Sequence, residues 1–343
     1  MYTSFTRADL LKDKKSWNAL KKFYSLNVIC GEHGTGKTTL IRRAANEVGT
    51  GVIYIDIPSY INELDEAFGK AINYAFGEHV PLTIQLLEKT AINDNHHRVS
   101  KWEMALRTIN QASTKYRKRY NKPLVIVYDN INTLFHNHPE ILDILQDNAK
   151  RGADNGECIT VFVSSEVPRR MELRSAWSRA QIPVMEICDL NEQESMDYLI
   201  AKHKINEEEA KKMYNLVGGR LLELQTVADC FRNKQTFEVT KGQVFSMVKK
   251  RLYSAKLLKD QQHHEIGKSI IQDLLKSEEI DIVIFRKFFK DEKSFSEVLG
   301  ENVFAYHQCI TRQRKQSRFN QSQWHISFEK IMICSDLNSY LLP

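Results

Sequence analysis

At 343 residues the chain is too long for one ordinary compact core, which points to two or three units, each with its own interior. With 42% hydrophobic and 27% charged residues and only 14 Gly and 7 Pro, the composition excludes global disorder, and a net charge of +6 allows acidic or nucleic-acid partners without establishing one. No apolar run approaches the ~18 residues of a membrane span. The opening MYTSFTRADLLKDKKSW lacks the apolar stretch of a secretory signal. An intracellular protein, cytoplasmic or nuclear, is the expectation, unless a leader has been removed; secretion as an effector stays open.

Residues 1–20 carry Leu10, Leu11, Trp17 and Leu20 at near-helical spacing and read as a helical lead-in. A strand, LNVIC, opens the next region, followed by a glycine loop and by KTTLIRRAANEV, whose Leu40, Ile41, Ala44, Ala45 and Val48 share one helical face. Gly49 and Gly51 stop that helix. The run GVIYIDIP then reads as a strand buried on both faces of a parallel sheet. Helical, polar sequence from about 60 to 120 ends in the basic KYRKRYNK. After it come the strand PLVIVYDN, the helix PEILDILQDNAKRG, and the strands ECITVFVSSE and IPVMEICDL. Strands alternating with helix-sized connections predict a parallel α/β sheet covered on both faces over 21–190. Beyond it NEQESMDYLIAKH, NEEEAKKMYNLV and GRLLELQTVADCFRN predict a helical lid over 191–255, with Asn or Gly at the cap positions. Over 256–343, three helical segments and the short strands NVFAYH and QWHISF predict a winged-helix-like unit.

The glycine loop GEHGTGKT, Gly31 to Thr38, fits G-x-x-x-x-G-K-[ST] between a buried strand and a helix. Glycines let successive backbone N–H groups curl around phosphate oxygens, and the positive end of the next helix draws the same anion. Gly31, Glu32, His33, Gly34, Thr35, Gly36, Lys37, Thr38 and Thr39 are therefore the predicted nucleotide-binding residues. Lys37 reaches the β- and γ-phosphates, and the Thr38 hydroxyl is suited to Mg²⁺. LVIVYD supplies the partner motif: Asp129 ends an apolar strand, where a carboxylate holds the same Mg²⁺ directly or through water. Asn130 follows where many such ATPases have a carboxylate, and an amide orients water without usefully accepting its proton. Slow, switch-like hydrolysis is therefore expected, or a base supplied elsewhere, such as Glu166.

With these residues the sequence resembles additional-strand P-loop ATPases, the archaeal-type and signal-transducing ATPase branches near AAA+ proteins, fungal Crinkler-type proteins included. The resemblance rests on GEHGTGKTTLI, GVIYIDIP, LVIVYDN, SAWSRA, VGGRLLEL and NVFAYH, spanning 26 to 307. It implies ATP as the nucleotide carried with Mg²⁺; a protein partner is expected, and oligomerisation stays open. It also implies a polar sensor at Ser164 or Ser165, an arginine finger at Arg179 (with Arg174 as the alternative), and a phosphate-sensing Arg220 after the VGG turn. At Arg220 the register follows neither the proline nor the arginine pattern of these families, and helix capping by Gly218 and Gly219 is the other reading.

Arg312, Arg314, Lys315 and Arg318 lie between the two terminal strands, where a basic loop would grip nucleic-acid phosphates or simply face solvent. Six scattered cysteines with no C-x-x-C pair read as reduced, mostly buried thiols. The paired histidines His96–His97, His136/His138 and His263–His264 lack further ligands at metal spacing. The leading expectation is an ATP-binding P-loop ATPase. A nucleotide-gated DNA-binding protein of initiator type and a catalytically silent effector or interaction module are the alternatives.

Overall fold

The computed structural model describes residues 26–76, 100–165, 171, 174–180, 184–277, 279–301, 303–308 and 324–328. These fall into two units. The first comprises the described residues up to Gly31 and from Lys37 to Ile187, and the second comprises Glu32–Gly36 and those from Cys188 onward. The helical lead-in over 1–20, Glu166, and the basic residues Arg312, Arg314, Lys315 and Arg318 lie outside the described residues.

In the first unit five apolar runs pair in parallel: β1 (Leu26–Cys30), β2 (Val52–Asp56), β3 (Leu124–Asp129), β4 (Cys158–Val163) and β5 (Met185–Glu186), in the order β2-β3-β4-β1-β5. Side chains alternate between the two faces of a strand, so each run feeds two interiors. Toward one face Ile29, Val125, Val127, Ile159, Val161 and Val163 pack on Leu40, Ile41 and Ala44 of helix α1 (Lys37–Val48). Toward the other, Tyr128 stacks on Phe162 with ring centroids 5.4 Å apart. Phe68 of α2 (Leu64–Phe76) lies 6.2 Å from Tyr128, and Trp102 of α3 (Lys101–Tyr120) lies 6.0 Å from Phe68. Helices therefore cover both faces. After the short α4 (Asn132–Asn137), α5 (Pro139–Asp154) is tied to α3 by Asn110 Nδ2 donating to Asn148 Oδ1 at 2.8 Å.

One expectation fails at β2. Its apolar run predicted burial on both faces, but the strand stands at the sheet edge, with Ile53 and Ile55 buried, Val52 and Tyr54 half-buried and Asp56 exposed. Val52 and Tyr54 reach only the rim of the α1-side core. A continuous apolar run specifies a strand but not its neighbours, which is why the edge went unread.

The second unit opens with α6 (Glu192–Asp197), started by a reciprocal cap: Glu194 N–H donates to Asn191 Oδ1 at 2.9 Å, and Asn191 N–H donates to Glu194 Oε2 at 3.0 Å. The chain continues through a wider turn, Tyr198–Lys202, to α7 (Glu207–Val217), capped by Asn206. Helices α8 (Leu221–Arg232) and α9 (Phe237–Ser254) follow. Then come α10 (His264–Ser277), β6 (Glu279–Asp281), α11 (Ile282–Lys287), α12 (Glu292–Gly300), β7 (Phe304–Gln308) and β8 (Trp324–Phe328). The expected hairpin of β7 and β8 gains a third antiparallel strand, giving the order β6-β8-β7. Phe285 centres its interior, with Phe289, Phe295 and Phe304 at 5.3, 6.1 and 5.4 Å. Among the described cysteines Cys30 and Cys158 are buried, Cys230 is half-buried and Cys188 is exposed. None of the described helices is long and apolar enough to cross a membrane.

Phe162 of β4 is fully buried and stacks on Tyr128 of β3, so Phe162→Ala should destabilise the first unit by about 3–5 kcal/mol, and Phe162→Leu by clearly less. Urea unfolding followed by intrinsic fluorescence measures both.

Candidate nucleotide-binding site

The glycine loop leaves β1 at Gly31, whose φ of 147° lies in the region open chiefly to glycine. A Cβ there would stand 2.3 Å from the Ile187 carbonyl oxygen, so glycine also permits the close approach of the segment after β5. Lys37 begins α1, and the first-turn N–H groups of a helix have no carbonyl partner within it, which leaves a partial positive charge there. Lys37 and Thr38 are both half-buried.

Asp129 ends β3 on the face that α1 covers, two residues on from Val127 and four from Val125. It is 1% exposed. Its Oδ2 accepts from the Tyr54 hydroxyl and its Oδ1 accepts from the Asn130 N–H at 2.9 Å. Burial, reinforced by the Asp129 hydrogen bond and charge, pushes the Tyr54 hydroxyl pKa upward against a smaller lowering by Arg42, so Tyr54 remains the donor. Asn130 has a left-handed backbone, φ 60°, a conformation asparagine tolerates better than most residues. Its Nδ2 donates to Asp56 Oδ1 at 2.6 Å, and Arg42 of α1 donates to Asp56 Oδ2, also at 2.6 Å. Arg42 also lies over the Tyr54 ring, 5.3 Å from its centroid. This chain of polar groups borders an open groove of about 990 Å³, lined also by Ser59, Glu63 and Lys70.

At the end of β4, Ser164 and Ser165 converge on a residue that the sequence reading did not single out. The Ser164 hydroxyl donates to Asn132 Oδ1 at 3.2 Å and the Ser165 N–H donates to the same oxygen at 3.0 Å. Arg174 is held by Asp143 and Asp147 of α5 at 2.8 and 2.7 Å, and Arg179 is paired with Asp154 of the same helix. Both proposed finger arginines thus have carboxylate partners within their own unit. Tyr54, Asp56 and Arg42 also went unread. The available signal was the matching ends of VIYID and LVIVYD, which the sheet sets in register as Asp56 opposite Asp129.

In the second unit the loop tip is built around Arg220. Gly34 and Gly36 have φ of 84° and 85°, and a Cβ on Gly34 would stand 2.9 Å from Leu222 Cβ. The Leu222 N–H donates to the Gly34 carbonyl at 3.1 Å, and the Thr35 hydroxyl donates to the Glu32 carbonyl at 2.9 Å. Arg220, 4% exposed at the start of α8, donates through Nε to Asp189 Oδ1 at 2.6 Å and through Nη1 to the His33 carbonyl at 2.9 Å. Its Nη2 donates to Glu32 Oε2 and, at 3.3 Å, to Asp189 Oδ2. Arg220 therefore joins the predicted loop residues Glu32 and His33, while Gly218, φ 69°, closes α7 as a cap. Gly219 lies where a Cβ would meet the Leu190 carbonyl at 1.9 Å, which fixes the turn presenting Arg220.

Residues 24–170 match the AAA domain family. The matched segment holds the whole glycine loop, Asp129, Asn130, Ser164 and Ser165, while Arg174, Arg179 and Arg220 fall beyond it. Among solved structures, a Walker-type ATPase of Pyrococcus abyssi superposes with a TM-score of 0.51 at 15% identity, over 96% of this chain and 97% of its own. Cdc6p of Pyrobaculum aerophilum gives 0.41 at 12% over 89% and 83%. The Orc1 protein of Aeropyrum pernix, solved in complex with DNA, gives 0.42 at 15% over 94% and 93%. No curated protein matches the chain. The parallel five-stranded sheet with its helices is a P-loop NTPase fold.

Removing Arg220 would strand the Glu32 and Asp189 carboxylates. Arg220→Ala should destabilise the second unit by less than the about 3–5 kcal/mol of a fully buried pair broken from one side, because Asp189 keeps 35% of its side chain exposed and Glu32 14%. Arg220→Lys should recover only part, because an ammonium lacks the guanidinium fork; differential scanning calorimetry reads the comparison.

Proposed function

We propose that this protein binds ATP with Mg²⁺ on the Gly31–Thr39 loop and uses the bound nucleotide as a conformational switch, with slow hydrolysis. The observation that carries the reading is a loop with positive φ at Gly31, Gly34 and Gly36 that runs from a buried strand into the first turn of α1, with Asp129 on the α1-covered face of the same sheet. Backbone N–H groups freed by these glycines suit a chain of phosphates, and the Lys37 ammonium adds the compensating charge.

The donor set fits magnesium. The Thr38 hydroxyl and the Asp129 carboxylate are hard oxygen donors, and a Mg²⁺ site on a nucleotide draws one or two protein oxygens, with phosphate and water supplying the rest. The ion would screen phosphate charge. Tyr54 holds Asp129 Oδ2 and the Asn130 amide holds Oδ1, so the carboxylate is oriented in advance.

Slow turnover follows from Asn130, an amide where proton acceptance would speed hydrolysis. The switch follows from how the loop is held: its tip is gripped by Arg220 and by the Leu222 N–H, and its last residues begin α1. A nucleotide whose phosphates accept from the loop's N–H groups alters the segment whose carbonyls are held in this way.

Saturating Mg·ATP at about a hundred times its dissociation constant should stabilise the protein by about 2.7 kcal/mol, seen as a raised melting temperature. Lys37→Ala should remove most of that shift while leaving the ligand-free melting temperature near that of the parent. An unchanged melting curve for the parent with millimolar Mg·ATP would refute nucleotide binding.

A further inference from the structure

Position 130 holds an amide where proton-accepting chemistry would favour a carboxylate, and the structure sets a carboxylate against that amide from the neighbouring strand. Asp56 and Asn130 lie at the carboxyl ends of β2 and β3, which pair in register. Asn130 Nδ2 and Asp56 Oδ1 are 2.6 Å apart, and Arg42 holds the other Asp56 oxygen at 2.6 Å. An ionised carboxylate only accepts hydrogen bonds, so the amide must turn its NH₂ to Asp56, and this settles which end of the amide is which. No described group donates to Asn130 Oδ1, which leaves that oxygen as the acceptor for a water molecule, and the adjoining groove admits water to both side chains.

We infer that Asp56, braced by Arg42, is a positioning residue that locks the Asn130 amide with its oxygen toward the water attacking the γ-phosphate. This rests on the nucleotide-binding reading above. The water oxygen bonds to phosphorus as the bond from phosphorus to the β-phosphate oxygen of ADP breaks. Asn130 Oδ1 holds one water hydrogen throughout but takes no proton, which passes to the departing phosphate. Losing Asp56 frees the amide to rotate, so half of its orientations present NH₂, a donor, to a water that must itself donate. Arg42→Ala loosens Asp56 and has a smaller effect of the same kind.

Exchanging the two side chains tests this. Asp56→Asn should lower kcat on the order of tenfold to a hundredfold, the scale of misorienting one reactant, with KM and ATP affinity unchanged. Its melting temperature should hardly move, because exposed ion pairs such as Arg42–Asp56 add little to stability. Asn130→Asp should also turn over slowly, because it sets two carboxylates face to face; aspartate tolerates the left-handed backbone, so folding is kept. The double exchange, Asp56→Asn with Asn130→Asp, restores an amide–carboxylate pair and puts the carboxylate beside the water. Its turnover should equal or exceed that of the parent, a coupling that a merely structural contact would not produce. An unchanged kcat in Asp56→Asn, additive losses in the double variant, or a parent that binds Mg·ATP without releasing phosphate would each overturn the inference. A parent that binds no nucleotide would overturn the proposed function instead.

Discussion

Asp129 is a carboxylate with almost no exposure to water at the end of a central strand, and such a group persists only where hydrogen bonds replace its hydration. Tyr54 and the Asn130 N–H supply them, and each imposes a constraint on its own surroundings. Tyr54 must stay protonated, which burial and the neighbouring negative charge enforce. Asn130 must take a left-handed turn for its N–H to reach back to the Asp129 side chain, and that turn carries its amide toward β2. The edge strand, the central strand and helix α1 thus meet through Asp56, Asn130, Tyr54 and Arg42 at the end of the sheet where α/β proteins place their ligands.

A second buried charge, Arg220, organises the second unit in the same way. Its guanidinium spends its donors on two carboxylates and a carbonyl, and two of those three partners belong to the loop tip. The two charged centres share a design: one buried ionised group, satisfied by fixed partners, sets the conformation of a turn that contains residues with positive φ.

The features legible in the sequence were those written in contiguous residues. The strand LNVIC, the loop GEHGTGKT and the helix KTTLIRRAANEV each carry a local physical signature, and all three formed where their patterns placed them. The Asn191 and Asn206 caps were legible for the same reason, since a cap needs only the next three residues. Helix α9 was not singled out, because its apolar residues spread around the helix instead of forming one stripe, and β6, three residues long, carries no period at all.

By itself the sequence determined that a flexible, amide-rich turn would join a buried strand to a helix, with an aspartate ending a later apolar strand, because these depend on backbone freedom and short-range periodicity. Only the tertiary structure decided that β2 lies at the edge and that β3 lies between it and β4. That order sets Asp56 against Asn130, 74 residues apart, and the turn after α7 sets Arg220 against Glu32, 188 residues apart. Strand order and register arise from which faces bury best against which helices, a choice made by the whole chain at once and written in no single stretch of it.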